Sequence, residues 1–221
     1  MTSAKDYWTN KDLGPHFAAP NIALFRFFGH AGFDFAGKSV LEIGFGHGAD
    51  LLEAARRGAS IHGIDINAVA VESMRRRTGL DTFVTADAAH QPITFPVAFD
   101  AIYACDTIYY LGDDEIHSFA RHCFAALAPG GRVVIHFIEG DWQAQAHPSG
   151  DLVPVLPAGA WTRLEQSFAA GNPLRMLDAA ATTAIFEAAG GRLTGRKSLC
   201  ETHGVTEETL RSQRYLLFER R

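Results

Sequence analysis

The sequence predicts one α/β domain built on a mostly parallel, doubly wound sheet of seven strands with an antiparallel C-terminal hairpin. Three observations predict it. The stretch Ser39-Val-Leu-Glu-Ile-Gly-Phe-Gly-His-Gly48 runs an apolar strand into three glycines at alternate positions. Short apolar runs then alternate with helical segments as far as Ile138, which implies right-handed crossovers between parallel strands. Two further apolar runs close the chain, and the link between them is too short for a parallel crossover.

The elements follow in order. Glycine is required where a backbone turns sharply and lets a ligand approach. A helix follows the glycine loop from Ala49 to Arg57 and stops at Gly58. Ala59 to Asp65 is a second strand ending in an acid, and Asn67 caps a helix from Ala68 to Arg77. Asp81 to Ala86 is the third strand, with Asp87 at its end, and Gln91 to Pro96 is a loop. Phe99 to Cys105 is the fourth strand and Asp113 to Leu127 the next helix. The turn Ala128-Pro-Gly-Gly131 leads into a fifth strand, Arg132 to Ile138. Gly140 to Arg175 breaks this rhythm with several prolines and glycines and reads as an irregular insertion of the kind that forms lids or binding loops. Regular structure resumes with a helix from Leu177 to Ala189, then strands from Arg192 to Thr202 and Ser212 to Glu219. The expected organisation is an aromatic N-terminal cap (1–36), a cofactor-binding core (37–138), a substrate lid (139–176) and a final helix with hairpin (177–221).

Composition excludes some classes. A chain of 221 residues is long enough for a sizeable core, and 47% hydrophobic with 20% charged residues is ordinary for a globular protein. The formal net charge of −5 argues against a nucleic-acid partner. The basic runs Arg56-Arg57 and Arg75-Arg76-Arg77 stand at helix C-termini, where they complement the helix dipole. No apolar run approaches a membrane span, and Met1 to Trp8 holds no apolar signal core, so a cytoplasmic location is expected. Cys105, Cys123 and Cys200 are too widely spaced for a zinc knuckle, and His117 and His122 lie off helical metal-pair spacing. No metal is expected.

Gly44-x-Gly46-x-x-Ala49 formally fits a dinucleotide fingerprint, yet Glu42 would place a carboxylate beside the pyrophosphate. An acid there suits a cofactor carrying an ammonium or sulfonium group. At this point the chain resembles the class I S-adenosylmethionine-dependent methyltransferases. Val-Leu-Glu42-Ile-Gly44-Phe-Gly46-His-Gly48 is similar to the family's first motif, and Gly63-Ile-Asp65-Ile-Asn67 to its second-strand acid. Thr85-Ala-Asp87-Ala88, Phe99 to Asp106, and Leu127 to Val134 resemble the three motifs that follow.

The resemblance implies that Glu42, Gly44, Phe45, Gly46 and Gly48 surround S-adenosylmethionine, with Glu42 orienting the loop. It implies that Asp65 accepts the ribose hydroxyls and Ile66 covers the adenine. Asp87 and the Ala88 amide would read the adenine edge, and the Cys105 carbonyl would hold the amino-acid end.

Transfer to a nitrogen or oxygen calls for a base, and Asp106 and His136 are the candidates, with packing as the competing role for His136. Glu139, after the fifth strand, is a weaker one and a candidate acceptor contact. Tyr7 and Trp8 resemble an aromatic pair that folds over the cofactor. Tyr109, Trp142 and Arg175 complete the candidate acceptor contacts. A covered pocket favours a small-molecule acceptor methylated on nitrogen or oxygen ahead of carbon, with a protein or peptide side chain or a non-catalytic S-adenosylmethionine-binding role as the alternatives. The aromatics of the first forty residues are equally suited to a homodimer interface.

Overall fold

The computed structural model describes residues 4–9, 11, 19–139, 161–163, 173–175, 177–203 and 209–221. Elements run in the order α1 (Ala4–Thr9), α2 (Ile22–His30), β1 (Ser39–Ile43), α3 (Ala49–Arg56), β2 (Ser60–Asp65), α4 (Ala68–Thr78) and β3 (Phe83–Thr85). They continue with β4 (Phe99–Cys105), a 3₁₀ turn (Ile108–Tyr110), α5 (Asp113–Ala126), β5 (Leu127–Ile138), β6 (Trp161–Arg163), β7 (Pro173–Arg175), α6 (Ala179–Ala188), β8 (Gly191–His203) and β9 (Thr209–Arg220).

The main sheet has seven strands in the order β3-β2-β1-β4-β5-β9-β8. The strands β1 to β5 pair in parallel, whereas β9 runs antiparallel to both β5 and β8. The chain reverses direction between β1 and β4, and the carboxyl ends of parallel strands at such a switch point are where open α/β sheets bind ligands.

Strand alternation builds one core on each face. Leu41, Ile102, Ile135 and Phe137 pack with α5 and α6 through Phe119, Phe124 and Phe186. Their neighbours Val40, Ala101, Tyr103 and Val134 face α2, α3 and α4 through Leu24, Phe28, Leu51 and Met74. Period-two side chains and helices on both faces make the sheet doubly wound.

Local signals fix the helix ends. The Asn67 side chain accepts from the amides of Val69 and Ala70, and Gly79 ends α4 in the left-handed region at φ 71°. The Asp178 carboxylate caps α6 by accepting from the Ala181 amide. The third strand is shorter than expected. The turn expected at Ala128-Pro-Gly-Gly131 instead belongs to β5, whose pairing with β4 slips between Phe99 and Ala101. Gly131 allows this, since a Cβ there would collide with the Phe99 carbonyl. Within the expected irregular insertion, β6 and β7 form a separate antiparallel pair. Trp142 lies outside the described residues. For Arg175 the structure describes only the backbone, which pairs with Trp161.

Candidate active site

The site grows from the end of β1. Gly44 sits at φ +76°, and a Cβ on it would strike the Thr107 side chain. Gly46, also at positive φ, donates its amide to Asp65 Oδ2 at 2.8 Å. The Asn67 amide donates to Asp65 Oδ1 at 2.9 Å, so the acid at the end of β2 is gripped by one amide on each oxygen. Thr107 Oγ1 lies 2.9 Å from the Cys105 carbonyl and 3.2 Å from that of Ile43, stitching the ends of β4 and β1 together. Gly48 is placed differently from the expectation: it starts α3 at φ 68° and packs against Met74 rather than lining the cavity.

These ends surround a cavity of about 680 Å³. Glu42, Gly44, Phe45, Gly46, Asp65, Ile66, Asp87, Ala88, Cys105 and Asp106 all line it. Glycines in its wall leave a cradle that a side chain would fill, and Glu42 Oε2 is a buried acceptor without a hydrogen-bond partner. Both features suit a ligand with a close-lying, positively charged end, as S-adenosylmethionine has.

The acids differ in electrostatics. Glu42 is 3% exposed, and burial, then the charges of Asp50 and Asp65, hold its carboxyl well above the usual range against one amide bond from Leu51. Burial also raises Asp65, opposed by the amides of Asn67, Gly46 and Ile66. At Asp87, burial works upward but is outweighed by the Lys5 ammonium, the Ala89 amide and His90, so its carboxyl lies below the usual value. Asp50, in the first turn of α3, accepts from the Asn21 amide at 2.6 Å. Its burial, reinforced by Asp106 and partly offset by that amide and His136, lifts its pKa to about 6.

The two candidate bases occupy different environments. Asp106 stands just past β4 at φ 53°, a left-handed conformation an aspartate tolerates, and lines the cavity with its side chain 46% exposed. His136 is 1% exposed and does not line the cavity. It stacks on Tyr215 at 4.4 Å, and its Nε2 meets Gln213 Oε1 at 3.1 Å. Its Nδ1 faces Asp106 Oδ1 at 3.4 Å without an aligned hydrogen bond. His136 therefore stands behind Asp106, on the sheet face opposite Ile135 and Phe137.

The remaining expected contacts divide. Trp8 lines the cavity and meets Tyr110 at 5.2 Å, while Tyr7 packs edge-on to Trp8 outside the lining. Tyr109 is 3% exposed within the core, and its neighbour Tyr110 takes the cavity position, because the 3₁₀ turn rotates successive side chains apart. Glu139 is held by Arg214 at 2.5 Å instead of facing the cavity. Reasoning from sequence missed Lys5, Asn21, Asp50, Thr107 and Tyr110, all of them in the lining. Asp50 carried a legible signal, an acid in the first turn of a helix that opens directly from a glycine loop. Thr107 and Tyr110 directly follow β4, beside Asp106 and Tyr109, whereas Lys5 and Asn21 are brought in by a distant segment.

Helix α1 closes over this site. Asn67 Nδ2 donates to the carbonyls of Trp8 and Lys11, and Lys5 Nζ reaches Asp87 Oδ2 at 2.6 Å. Among the described residues no group of histidine, cysteine, aspartate and glutamate side chains is arranged to hold a metal ion, and no helix is long and apolar enough to cross a membrane.

Residues 40–131 match the methyltransferase domain family. Over 102 residues, 45% of this chain, the sequence is 36% identical to trans-aconitate 2-methyltransferase from Paracidovorax citrulli and covers 38% of that protein. The chain spans half or less of the curated relatives it matches. An S-adenosylmethionine-dependent methyltransferase from Mesorhizobium loti superposes with a TM-score of 0.68 at 19% identity, over 86% of this chain and 95% of that one. The N-methyltransferase NodS from Bradyrhizobium japonicum, in complex with S-adenosyl-L-homocysteine, superposes at 0.61 with 16% identity, over 98% and 96% of the two chains. At these identities the two structures establish the shared fold.

Proposed function

We propose that the protein is a class I S-adenosylmethionine-dependent methyltransferase that transfers a methyl group from that cofactor to a nitrogen or oxygen of a small molecule, a reading supported by the match of residues 40–131 to the methyltransferase domain family. One observation carries the reading. Asp65, the Gly44–Gly46 loop and Asp87 line a single cavity that α1 covers through Asn67 and Lys5. A covered cavity admits a small acceptor more readily than a polymer.

When bound, S-adenosylmethionine supplies an electrophilic methyl group on a positively charged sulfur. The chain's own residues supply position and dryness. Each Asp65 oxygen keeps a lone pair beyond its backbone amide, enough to accept one ribose hydroxyl apiece. Ile66 and Ala88 offer apolar surface to the adenine, and Asp87 an acceptor for its amine. The Gly44 backbone and the Cys105 carbonyl receive the amino-acid end. Trp8 and Tyr110 shield the site from water, which an in-line displacement requires. Asp106, an acid of the lining just past β4, is the proton acceptor in this reading, with His136 standing behind it.

Isothermal titration with S-adenosylhomocysteine tests the cofactor assignment. Incubation of the protein with methyl-labelled S-adenosylmethionine and a whole extract of its host, followed by desalting, tests the acceptor size. Label in the low-mass fraction is expected, and label in protein or RNA would overturn the small-molecule reading.

A further inference from the structure

The cavity wall is unusually acidic for a site that must accept one cofactor. Among the described residues it carries Glu42, Asp50, Asp65, Asp87, Asp106 and Glu115 against a single cation, Lys5, which is already bound to Asp87. At the β3 side these charges have partners. Asp65 has the backbone amides of Gly46, Asn67 and Ile66, Asp87 has Lys5, His90 and the Ala89 amide, and Glu115 accepts from the Gly112 amide.

The β1 and β4 side differs. Glu42 Oε2 is buried and unpartnered. Asp50 is 8% exposed and accepts from the Asn21 amide. Among the described residues the Asp106 carboxylate meets the poorly aligned His136 Nδ1 and the Tyr109 hydroxyl. The Tyr103 hydroxyl, fully buried near Glu42 and Asp50, also lacks a hydrogen-bond partner among the described residues. Strand order separates this side from Asp87 by two strand spacings at β1 and three at β4, roughly 10 to 14 Å.

The cofactor does not balance these charges. Its amino-acid end carries one ammonium and one carboxylate and is neutral overall, so only the sulfonium adds net positive charge. A carboxylate acceptor beside Asp106 would meet repulsion, and a cation the corresponding attraction.

Resting on the methyltransferase reading above, we infer that the acceptor is a cationic amine, held by Asp50 and Asp106, and that its nitrogen receives the methyl group. The chemistry balances. The ammonium gives one proton to the Asp106 carboxylate, which frees the nitrogen lone pair. That pair forms the N–CH₃ bond as the S–CH₃ bond breaks, and the bonding pair leaves with sulfur, giving a methylammonium and neutral thioether. Asp106 then returns its proton to water. The high pKa of Asp50 fits this role, since a buried carboxyl that is costly to ionise alone becomes ionised when a cation arrives.

The test divides the low-mass host extract into pools retained on a cation exchanger, retained on an anion exchanger, and unretained. Each is incubated with protein and methyl-labelled S-adenosylmethionine, and each is added to protein preloaded with S-adenosylhomocysteine to follow its melting temperature. We expect the cation-exchange pool both to take up label and to raise the melting temperature. Asp50→Asn and Asp106→Asn should each cut labelling of that pool at least about tenfold while shifting S-adenosylhomocysteine affinity less than about threefold, the loss of a charge-assisted contact to the acceptor alone. Labelling confined to the anionic or unretained pool, or undiminished labelling in both variants, overturns the amine assignment and leaves methyl transfer standing. Absence of label from every pool, together with failure to bind S-adenosylhomocysteine, overturns the methyltransferase reading itself, and this inference with it.

Discussion

Lys5 Nζ lies 2.6 Å from Asp87 Oδ2, a contact between residues 82 positions apart that ties the N-terminal helix to the acid at the end of β3. The lysine is 59% exposed, so the pair adds at most about 1 kcal/mol to stability. Its expected consequence is local. Lys5→Met should leave the melting temperature nearly unchanged and weaken S-adenosylhomocysteine binding by up to about fivefold, an effect that fades at high salt. Titration calorimetry at two salt concentrations checks it. An unchanged affinity at low salt would mean that α1 does not contribute to the closed site.

Asp65 is the residue whose loss should harm cofactor binding most. Asp65→Asn keeps one acceptor oxygen but turns an amine toward either the Gly46 or the Asn67 amide. Charge-assisted hydrogen bonds contribute about 1.5–3 kcal/mol each, so affinity for S-adenosylhomocysteine should fall by about 10- to 100-fold. Circular dichroism of the variant should match that of the parent, since Asp65 is the last residue of β2 and pairs with Thr85 through its backbone, which the substitution leaves in place.

Asp50 predicts a pH dependence of stability. Burial raises its carboxyl from 3.8 to about 6 in the folded protein, so between those values the folded state binds a proton that the unfolded chain has released. Its contribution to stability is therefore undiminished below pH 3.8 and falls as pH rises toward about 6; above that the loss is complete. Asp50→Asn removes the titration. It should flatten the stability profile across this window and gain up to about 3 kcal/mol at neutral pH, read by urea denaturation. A variant profile as steep as the parent's would assign the pH dependence to other groups.

Tyr109 and Tyr110 should separate cleanly. Tyr109 is buried in the core, and Tyr109→Ala should cost about 3–5 kcal/mol of stability, as other large aromatic truncations do. Tyr110 lines the cavity under Trp8, so Tyr110→Ala should leave stability within about 1 kcal/mol and raise KM for the acceptor or the cofactor. The opposite pattern would reverse the assignment of the two rings.

Much of the cofactor half was legible because it is local. Glu42, Gly44, Phe45 and Gly46 fall within one strand and the loop that follows it, and Asp65 and Asp87 end successive strands, so parallel pairing alone carries them to the same sheet edge. The acceptor half was less so. Strand alternation put His136 opposite Ile135 and Phe137, but alternation names two faces without saying which is wet; Tyr215 of β9 and its stacked ring decide that. A turn of 3₁₀ geometry chose Tyr110 over Tyr109, and an ion pair with Arg214 drew Glu139 away from the cavity.

The sequence by itself determined the sheet, its crossovers, its antiparallel edge and the glycine cradle. These follow from periodicity, turn residues and backbone sterics, which act over a few residues. Only the tertiary structure decided which acids stay unpaired. Asn21 reaches Asp50 and Lys5 reaches Asp87 across long stretches of chain, and a charge's partner, burial and pKa exist only once such segments are packed together.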